Sequence, residues 1–201
     1  MSGAIAIDTA TLPVDALVTG VALLLGYLAG SLPVSALVGG AAGVDIVREG
    51  EANPGSANVW KLAGPGWGFL ALTGDLAKGV LPVALGTVTV SWSVGWVAGL
   101  GALIGACWPL FGRLPGGRGV AVFAGAAFAL SPSAGMPGVL LTLAVLLAAK
   151  LVGRNGRVAA IGAGVATYPL LFLAAEADVL RLAALMTLYL VALLRFMTTR
   201  R

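Results

Sequence analysis

Asp75 and Lys78 stand three residues apart inside an otherwise apolar run, ALTGDLAKGVLP (71–82). On a helix that spacing puts both on one face, close enough to pair. Ionisable side chains in such a run are expensive, so the pair marks either a ligand site or a structural ion pair between helices. Upstream, VDIVREGEANPGSANVWK (44–61) reads as a polar loop. Gly50 and Gly55 allow close backbone approach to a ligand, Asn53 and Asn58 offer uncharged donors and acceptors, and Ser56 adds a hydroxyl. Loops of this type form anion-binding concavities from successive N–H groups. Downstream, Pro115 is followed by Gly116, Gly117, Arg118 and Gly119 ahead of an apolar run. A glycine-rich turn that opens a helix presents free N–H groups and a positive dipole end, and Arg118 adds a fixed cation. The same residues also suit a tight turn at a membrane surface. Ser31, in AGSLPVSAL (29–37), is a fourth candidate. Pro33 would bend or open the segment there and let the hydroxyl face a cavity, although a serine in a membrane helix usually bonds the carbonyl one turn back.

Phosphate-binding features beside an apolar interior suit a substrate with an anionic head and an apolar tail. The elements that position them follow from composition. The chain has 201 residues, 59% hydrophobic and only 10% charged, with a mean hydropathy of +1.02. Soluble domains carry about 25% charged residues, so this is a chain whose solvent is lipid. At roughly 20 apolar residues per crossing, its length holds six or seven spans and little else. We therefore expect an all-α integral membrane protein, a single transmembrane domain over 1–201. Seven apolar segments can be drawn, at about 14–40, 62–86, 90–111, 118–131, 137–151, 158–175 and 179–196. The fourth and fifth are short, which leaves a re-entrant pair and five crossings as the alternative.

Charge sets the orientation. Ten of the twelve basic residues, including Arg48, Lys61, Arg113, Arg118, Lys150, Arg154, Arg157 and Arg195, fall in alternate loops or at the C-terminus. The opposite side holds Asp8, Asp15, Glu176 and Asp178 instead. By the positive-inside rule the basic side is cytoplasmic, the N-terminus lies outside and the C-terminus inside. Trp60 and Trp108 then fall near the inner interface, Trp92 and Trp96 near the outer one. The first thirteen residues contain no Lys or Arg, so the first apolar run is expected to stay in the mature protein. Singly placed basic residues are no footprint for nucleic acid.

Some chemistry is excluded outright. The chain has no histidine and one cysteine, Cys107, which removes the Ser–His type of triad and any internal disulfide. Cys107 itself is an acylatable nucleophile in principle, but a thiol in apolar surroundings is usually inert.

These segments, in this order, resemble the bacterial acyl-phosphate:glycerol-3-phosphate acyltransferase family, the PlsY family. Gly30, Ser31 and Pro33, then Asp45, Ile46, Gly50, Asn53, Gly55 and Asn58, match its first motif. Asp75, Lys78, Gly79 and Pro82 match the second, and Gly105, Pro109, Gly116, Gly117, Gly119, Val120 and Ala121 the third. The likeness covers about 22–125. It implies a seven-span enzyme of the bacterial inner membrane that moves an acyl group from acyl phosphate to glycerol 3-phosphate, giving lysophosphatidate and phosphate, with no metal, cofactor or thioester carrier. In that reading Ser31, Asn53, Asn58, Asp75 and Lys78 are the catalytic set. Gly50, Gly55, Ser56, Gly116, Gly117, Arg118 and Gly119 cradle phosphate on the cytoplasmic side, and the partners are the two substrates and membrane lipids.

The chain departs from the family pattern at several points. Ala106 stands where the family has histidine, Arg118 replaces a lysine and Val47 an arginine. Glu51-Ala52 replaces Ser-Gly, Ser56-Ala57 replaces Ala-Thr, and the C-terminal stretch with a second histidine, an Asn and an Arg-Leu is replaced by LLRFMTTRR (193–201). Glu51 sets a negative charge where phosphate would bind. Two further readings therefore stand beside acyl transfer: a related membrane protein that binds a lipid or partner without turnover, and a small transporter with midplane charges. No oligomeric state is read from the sequence.

Overall fold

The computed structural model describes residues 12–50, 53–110, 116–133, 135–137, 140, 144, 169–174 and 178–198. All regular structure among them is helical: α1 (Leu12–Ser31), α2 (Val34–Ala41), α3 (Ser56–Ala63), α4 (Pro65–Thr89), α5 (Trp92–Cys107), α6 (Val120–Leu130) and α7 (Val179–Thr198). Among the described residues, three stretches are long and apolar enough to cross a bilayer: Asp15–Ala41, Pro65–Thr89 and Val179–Thr198. Trp92–Cys107 and Val120–Leu130 are shorter apolar helices. Most of the expected spans at 137–151 and 158–175 lies outside the described residues.

The helix boundaries follow from local chemistry. Pro33 brings no N–H and pushes Leu32 out of helical geometry, so the first span breaks into α1 and α2. Pro65 occupies the start of α4, where a missing N–H is harmless. Pro82 lies inside α4, one turn beyond Lys78, and deprives the Lys78 carbonyl of its helical donor. Ser91 caps α5 by accepting from the Val94 N–H at 3.3 Å. Gly119 begins α6 in the left-handed region, with φ 71°, which glycine adopts without strain.

One expectation needs correction. The stretch 44–61 is not loop throughout, because Ser56–Ala63 forms the short helix α3. Val59 and Asn58 are its buried positions, and Val59 joins Ile46 and Ala71 in a small core of its own. Burial of that face against α4 overrides the polar look of the segment.

Neighbouring helices approach at small residues. A side chain at Gly30 would strike the Ala102 carbonyl, and one at Gly105 the Tyr27 carbonyl, so α1 and α5 pack with backbones nearly touching. Gly26 also faces Ala98, so the paired numbers rise together and the two helices run parallel. Against α5, α4 runs in reverse, with Gly86 beside Gly95 and Val83 beside Gly99. α6 is likewise antiparallel to α5: the Trp92 Nε1–H donates to the Leu130 carbonyl at 3.1 Å, while Gly119 lies beside Leu103. α7 runs parallel to α5, with Trp96 Nε1–H on the Ala184 carbonyl at 3.1 Å and Arg195 over Trp108 at the far end.

This alternation gathers the end of α5, the start of α6 and the end of α7 at one end of the bundle. The main core, with Val83, Leu103, Phe123, Phe172, Leu185 and Leu188, lies between α4, α5, α6 and α7. Large apolar side chains such as Leu17, Leu85, Val88 and Leu180 point outward, as a lipid-facing surface requires.

A valine at Gly105 should disrupt the α1–α5 crossing, since its Cβ has no room, at a cost of about 1–3 kcal/mol or more. A valine at Gly20, where nothing lies within 4 Å, should be tolerated. Thermal unfolding in detergent checks the pair, and equal melting of both variants would show that the crossing is not close.

Candidate functional site

The break at Pro33 creates the centre of the site. Leu32 leaves its carbonyl inside an apolar layer, where it accepts from Val34 N–H at 2.9 Å and from Lys78 Nζ at 3.0 Å. Lys78 also pairs with Asp75 Oδ1 at 2.8 Å, both side chains being about nine-tenths buried. The other carboxylate oxygen of Asp75 accepts from Ser35 Oγ at 2.6 Å. Thus α4 supplies a charge pair and the broken first span supplies a carbonyl and a hydroxyl that lock it. Among the described residues two of the three Lys78 ammonium donors are used in this way, and the third remains for a ligand.

Lys78 opens onto a cleft lined by Gly30, Ser31, Ser35, Pro54, Ala106, Gly116 and Gly117, among others. Ser31 Oγ donates to the Tyr27 carbonyl at 2.7 Å, the one-turn-back bond that serines in membrane helices usually make. It also accepts from the Leu110 N–H at 3.3 Å, so it ties α1 to the chain leaving α5 while lining the cleft. Gly116 and Gly117 come from the glycine-rich turn. Gly117 N–H donates to the Ala106 carbonyl at 3.1 Å, and a side chain at Gly116 would strike the Cys107 carbonyl. Cys107 is fully buried, with its Sγ against the position a Gly119 side chain would occupy. It packs under the turn, away from the cleft lining.

The structure thus brings Ser31, Lys78, Gly116 and Gly117 together, with Asp75 directly behind them. Arg118 and Gly119 sit at the edge of the turn and do not line the cleft. The Arg118 guanidinium lies 5.4 Å from the Phe196 ring centre, a cation–π distance, and its buried Nε has no hydrogen-bond partner among the described residues.

The first polar loop contributes differently from expectation. Asn58 is fully buried, and its Nδ2 donates to the carbonyls of Ile46 at 2.8 Å and Glu49 at 2.9 Å. Its amide therefore shapes the loop from within. Gly50, with φ 64°, packs directly on the Asn58 side chain, so its glycine is required by the loop itself. Gly55 and Ser56 start α3. The loop reaches the cleft through Pro54, beside Asn53, whose buried Oδ1 has no partner among the described residues. Glu51, Ala52, Arg113 and Pro115 lie outside the described residues.

Sequence reasoning missed two contributors. Ser35 is one turn beyond Ser31 across the break, and its signal was a second hydroxyl next to the proline. Arg195 was visible only as a basic residue near a helix end. Among the described residues no group of three His, Cys, Asp or Glu side chains is placed to hold a metal ion.

The arrangement combines a buried ammonium with a free donor among the described residues, a glycine turn and an apolar surround, a chemistry suited to a lipid-like anion. The sequence profile of the family described as glycerol-3-phosphate acyltransferase matches residues 20–200. The chain belongs to that family. Glycerol-3-phosphate acyltransferases of Rubrobacter xylanophilus and Desulforudis audaxviator are similar to it. The first is 45% identical over 130 residues, 64% of this chain and 65% of its own length. The second is 36% identical over 137 residues, 68% and 69% respectively. The match thus spans just under two thirds of the Rubrobacter relative. The fold resembles the crystal structure of PlsY, an integral membrane glycerol 3-phosphate acyltransferase, in its glycerol 3-phosphate form: TM-score 0.77 and 25% identity, over 90% of this chain and 88% of that one. The lysophosphatidic acid form of the same enzyme gives a TM-score of 0.74 at 24% identity, over 88% of this chain and 87% of that one. The chain is an integral membrane protein of this family, and the sequence-level resemblance is borne out.

Removing one member of a buried ion pair leaves the other charge uncompensated, typically at about 3–5 kcal/mol. Asp75→Asn should therefore lower thermal stability more than Asp75→Asn combined with Lys78→Met, which removes both charges. Equal melting of the single and double variants would mean that the pair is not coupled in the folded protein.

Proposed function

We propose that the chain transfers an acyl group from acyl phosphate to glycerol 3-phosphate, forming lysophosphatidate and releasing phosphate. The observation that carries this reading is the convergence of the Lys78 ammonium and the Gly116–Gly117 turn on one cleft at a broken, lipid-exposed span. Fold and family support it: relatives are named for this activity, and the similar crystal structures are the glycerol 3-phosphate and lysophosphatidic acid forms of such an enzyme.

The chemistry asks little of the protein. An acyl phosphate is an activated donor, so holding its carbonyl carbon beside the acceptor hydroxyl supplies much of the rate. The acceptor oxygen bonds to that carbon, the carbon–oxygen bond to phosphate breaks, and phosphate leaves with the electron pair. The chain has no histidine, and a phosphate oxygen of the substrate takes the hydroxyl proton. Lys78 holds phosphate charge as it develops, and the glycine turn offers the same charge those of its N–H groups other than Gly117's, which the Ala106 carbonyl takes. Asp75 and Ser35 orient Lys78. Ser31 shapes the wall between cleft and α5, and Asn53, Asn58, Gly50, Gly55 and Ser56 shape the loop that brings Pro54 to the rim.

The same reading gives seven spans in the bacterial cytoplasmic membrane, with the N-terminus outside and the cleft opening toward the cytoplasm. Arg48, Arg118 and Arg195 fall at the cleft end of the bundle and Asp178 at the other, which the positive-inside rule favours. The antiparallel sense of α6 and α7 suits an even number of crossings between them.

Phosphate release from a long-chain acyl phosphate, with and without glycerol 3-phosphate, is the direct assay. The purified protein should release phosphate in an acceptor-dependent manner. Lys78→Met should cut kcat/KM by about 100-fold, since it removes a charge-assisted contact to the transferring group. Folded protein that releases none would sink the acyl-transfer reading and leave a lipid- or partner-binding protein.

A further inference from the structure

Arg195 sits in the last turn of α7, 78 residues from the turn it touches. Its Nε–H donates to the Gly117 carbonyl at 3.2 Å and its Nη2–H to the Gly116 carbonyl at 3.0 Å. The guanidinium stacks 5.3 Å from the centre of the Trp108 ring. We propose that Arg195 is a positioning residue: it clamps the two carbonyls of the glycine-rich turn and so sets the shape in which that turn receives substrate phosphate. The proposal rests on the acyltransferase reading above.

Peptide geometry shows what the clamp does. No peptide bond in the described chain is cis, so each carbonyl and the following N–H point to opposite sides. With the Gly116 carbonyl on Arg195, the Gly117 N–H faces the other way and meets the Ala106 carbonyl at 3.1 Å. With the Gly117 carbonyl on Arg195, the Arg118 N–H is turned away from α7. Consecutive glycines have more backbone freedom than any other pair, so nothing local holds this orientation. Below, the Cys107 carbonyl leaves Gly116 no room for a side chain; above, Arg195 holds both oxygens. The next residue, Phe196, carries the Arg118 guanidinium on its ring. One turn of α7 thus fixes both the backbone of the phosphate turn and its cation. Lysine substitutes only in part, because a single ammonium lacks the planar fork that reaches two carbonyls at once.

Arg181 is the matched control. It lies near the opposite end of α7, stacks 5.3 Å from the centre of Trp92 and pairs with Asp178 at 3.8 Å, far from the cleft. The test uses the full chain with R195Q, R195K and R181Q. It measures amide hydrogen exchange over 116–120 and KM for each substrate in the phosphate-release assay. R195Q should exchange faster over the turn and raise KM for a phosphate substrate about tenfold, the loss of one charge-assisted bond, with kcat little changed. R195K should fall between, and it carries the test if R195Q does not fold. R181Q should match the wild type.

Unchanged exchange in R195Q, faster exchange with both KM values intact, or an equal KM rise in R181Q would overturn the proposal. If the wild type shows no acceptor-dependent release, the acyl-transfer reading fails separately. Equilibrium dialysis of a non-transferable long-chain acyl phosphonate then replaces KM: about tenfold weaker binding by R195Q supports the clamp, and equal binding overturns it.

Discussion

Pro33 breaks the first span, and the Leu32 carbonyl at the break lies in an apolar layer with one donor of its own, the Val34 N–H at 2.9 Å, and a second lone pair open to another. Lys78 meets it at 3.0 Å, but an ammonium in the same layer needs a counter-charge, and Asp75 supplies it one turn earlier on α4. Asp75 in turn needs its second oxygen satisfied, and Ser35 provides the donor from just beyond the break. Each group answers a need created by the one before it. The result is a closed polar knot that joins α4 to both halves of the first span. Because the knot uses two of the lysine donors and, among the described residues, leaves one, structural stabilisation and the proposed ligand site are one feature and not rivals.

That knot acts only if the other walls arrive at the right distance, and small residues decide this. Gly30 and Gly105 let α1 and α5 approach until backbones meet, which carries the end of α5 up beside the break. From there Ser31 reaches the Leu110 N–H, Tyr27 Oη donates to the Trp108 carbonyl at 3.0 Å, and the glycine-rich turn folds back over Cys107. A larger residue at either crossing would strike a backbone carbonyl of the facing helix, that of Ala102 or of Tyr27, and would move the turn away from Lys78. The cleft is therefore positioned by residues with no chemistry of their own, as is usual for helices packed in lipid, where close van der Waals contact replaces the hydrophobic drive.

Much of this was legible in the sequence, and the parts that were not share a cause. The pairing of Asp75 with Lys78, the break at Pro33 and the apolar helices at 62–86 and 179–196 follow from spacing, proline chemistry and length, all local properties. The helix α3 was hidden because its hydrophobic face is only a few residues long, and it is held by Ile46 and Ala71 from other segments. Asn58 read as a ligand group because asparagine types in a loop look alike. Its burial against Ile46 and Glu49 is a tertiary fact. Arg195 was invisible for the same reason: a basic residue at a helix end has an adequate explanation in topology, and only the fold shows that it faces the turn.

The absence of histidine from a chain with this fold bears on what the site must do. A general base typically accelerates a reaction by about 10²–10⁴-fold, whereas positioning of reactants and preorganised charge accelerate it more. An acyl phosphate brings its own leaving group and its own basic oxygen, so the protein can dispense with a base if it keeps the positioning and the charge. What it keeps is visible: a lysine locked by Asp75 and the Leu32 carbonyl, and a glycine turn held from both sides. Ala106, lining the cleft beside that turn, adds only a methyl group. In the proposed reaction the rigidity of the frame around the phosphate is then the property on which turnover depends, and that frame is Asp75, Ser35 and the end of α7.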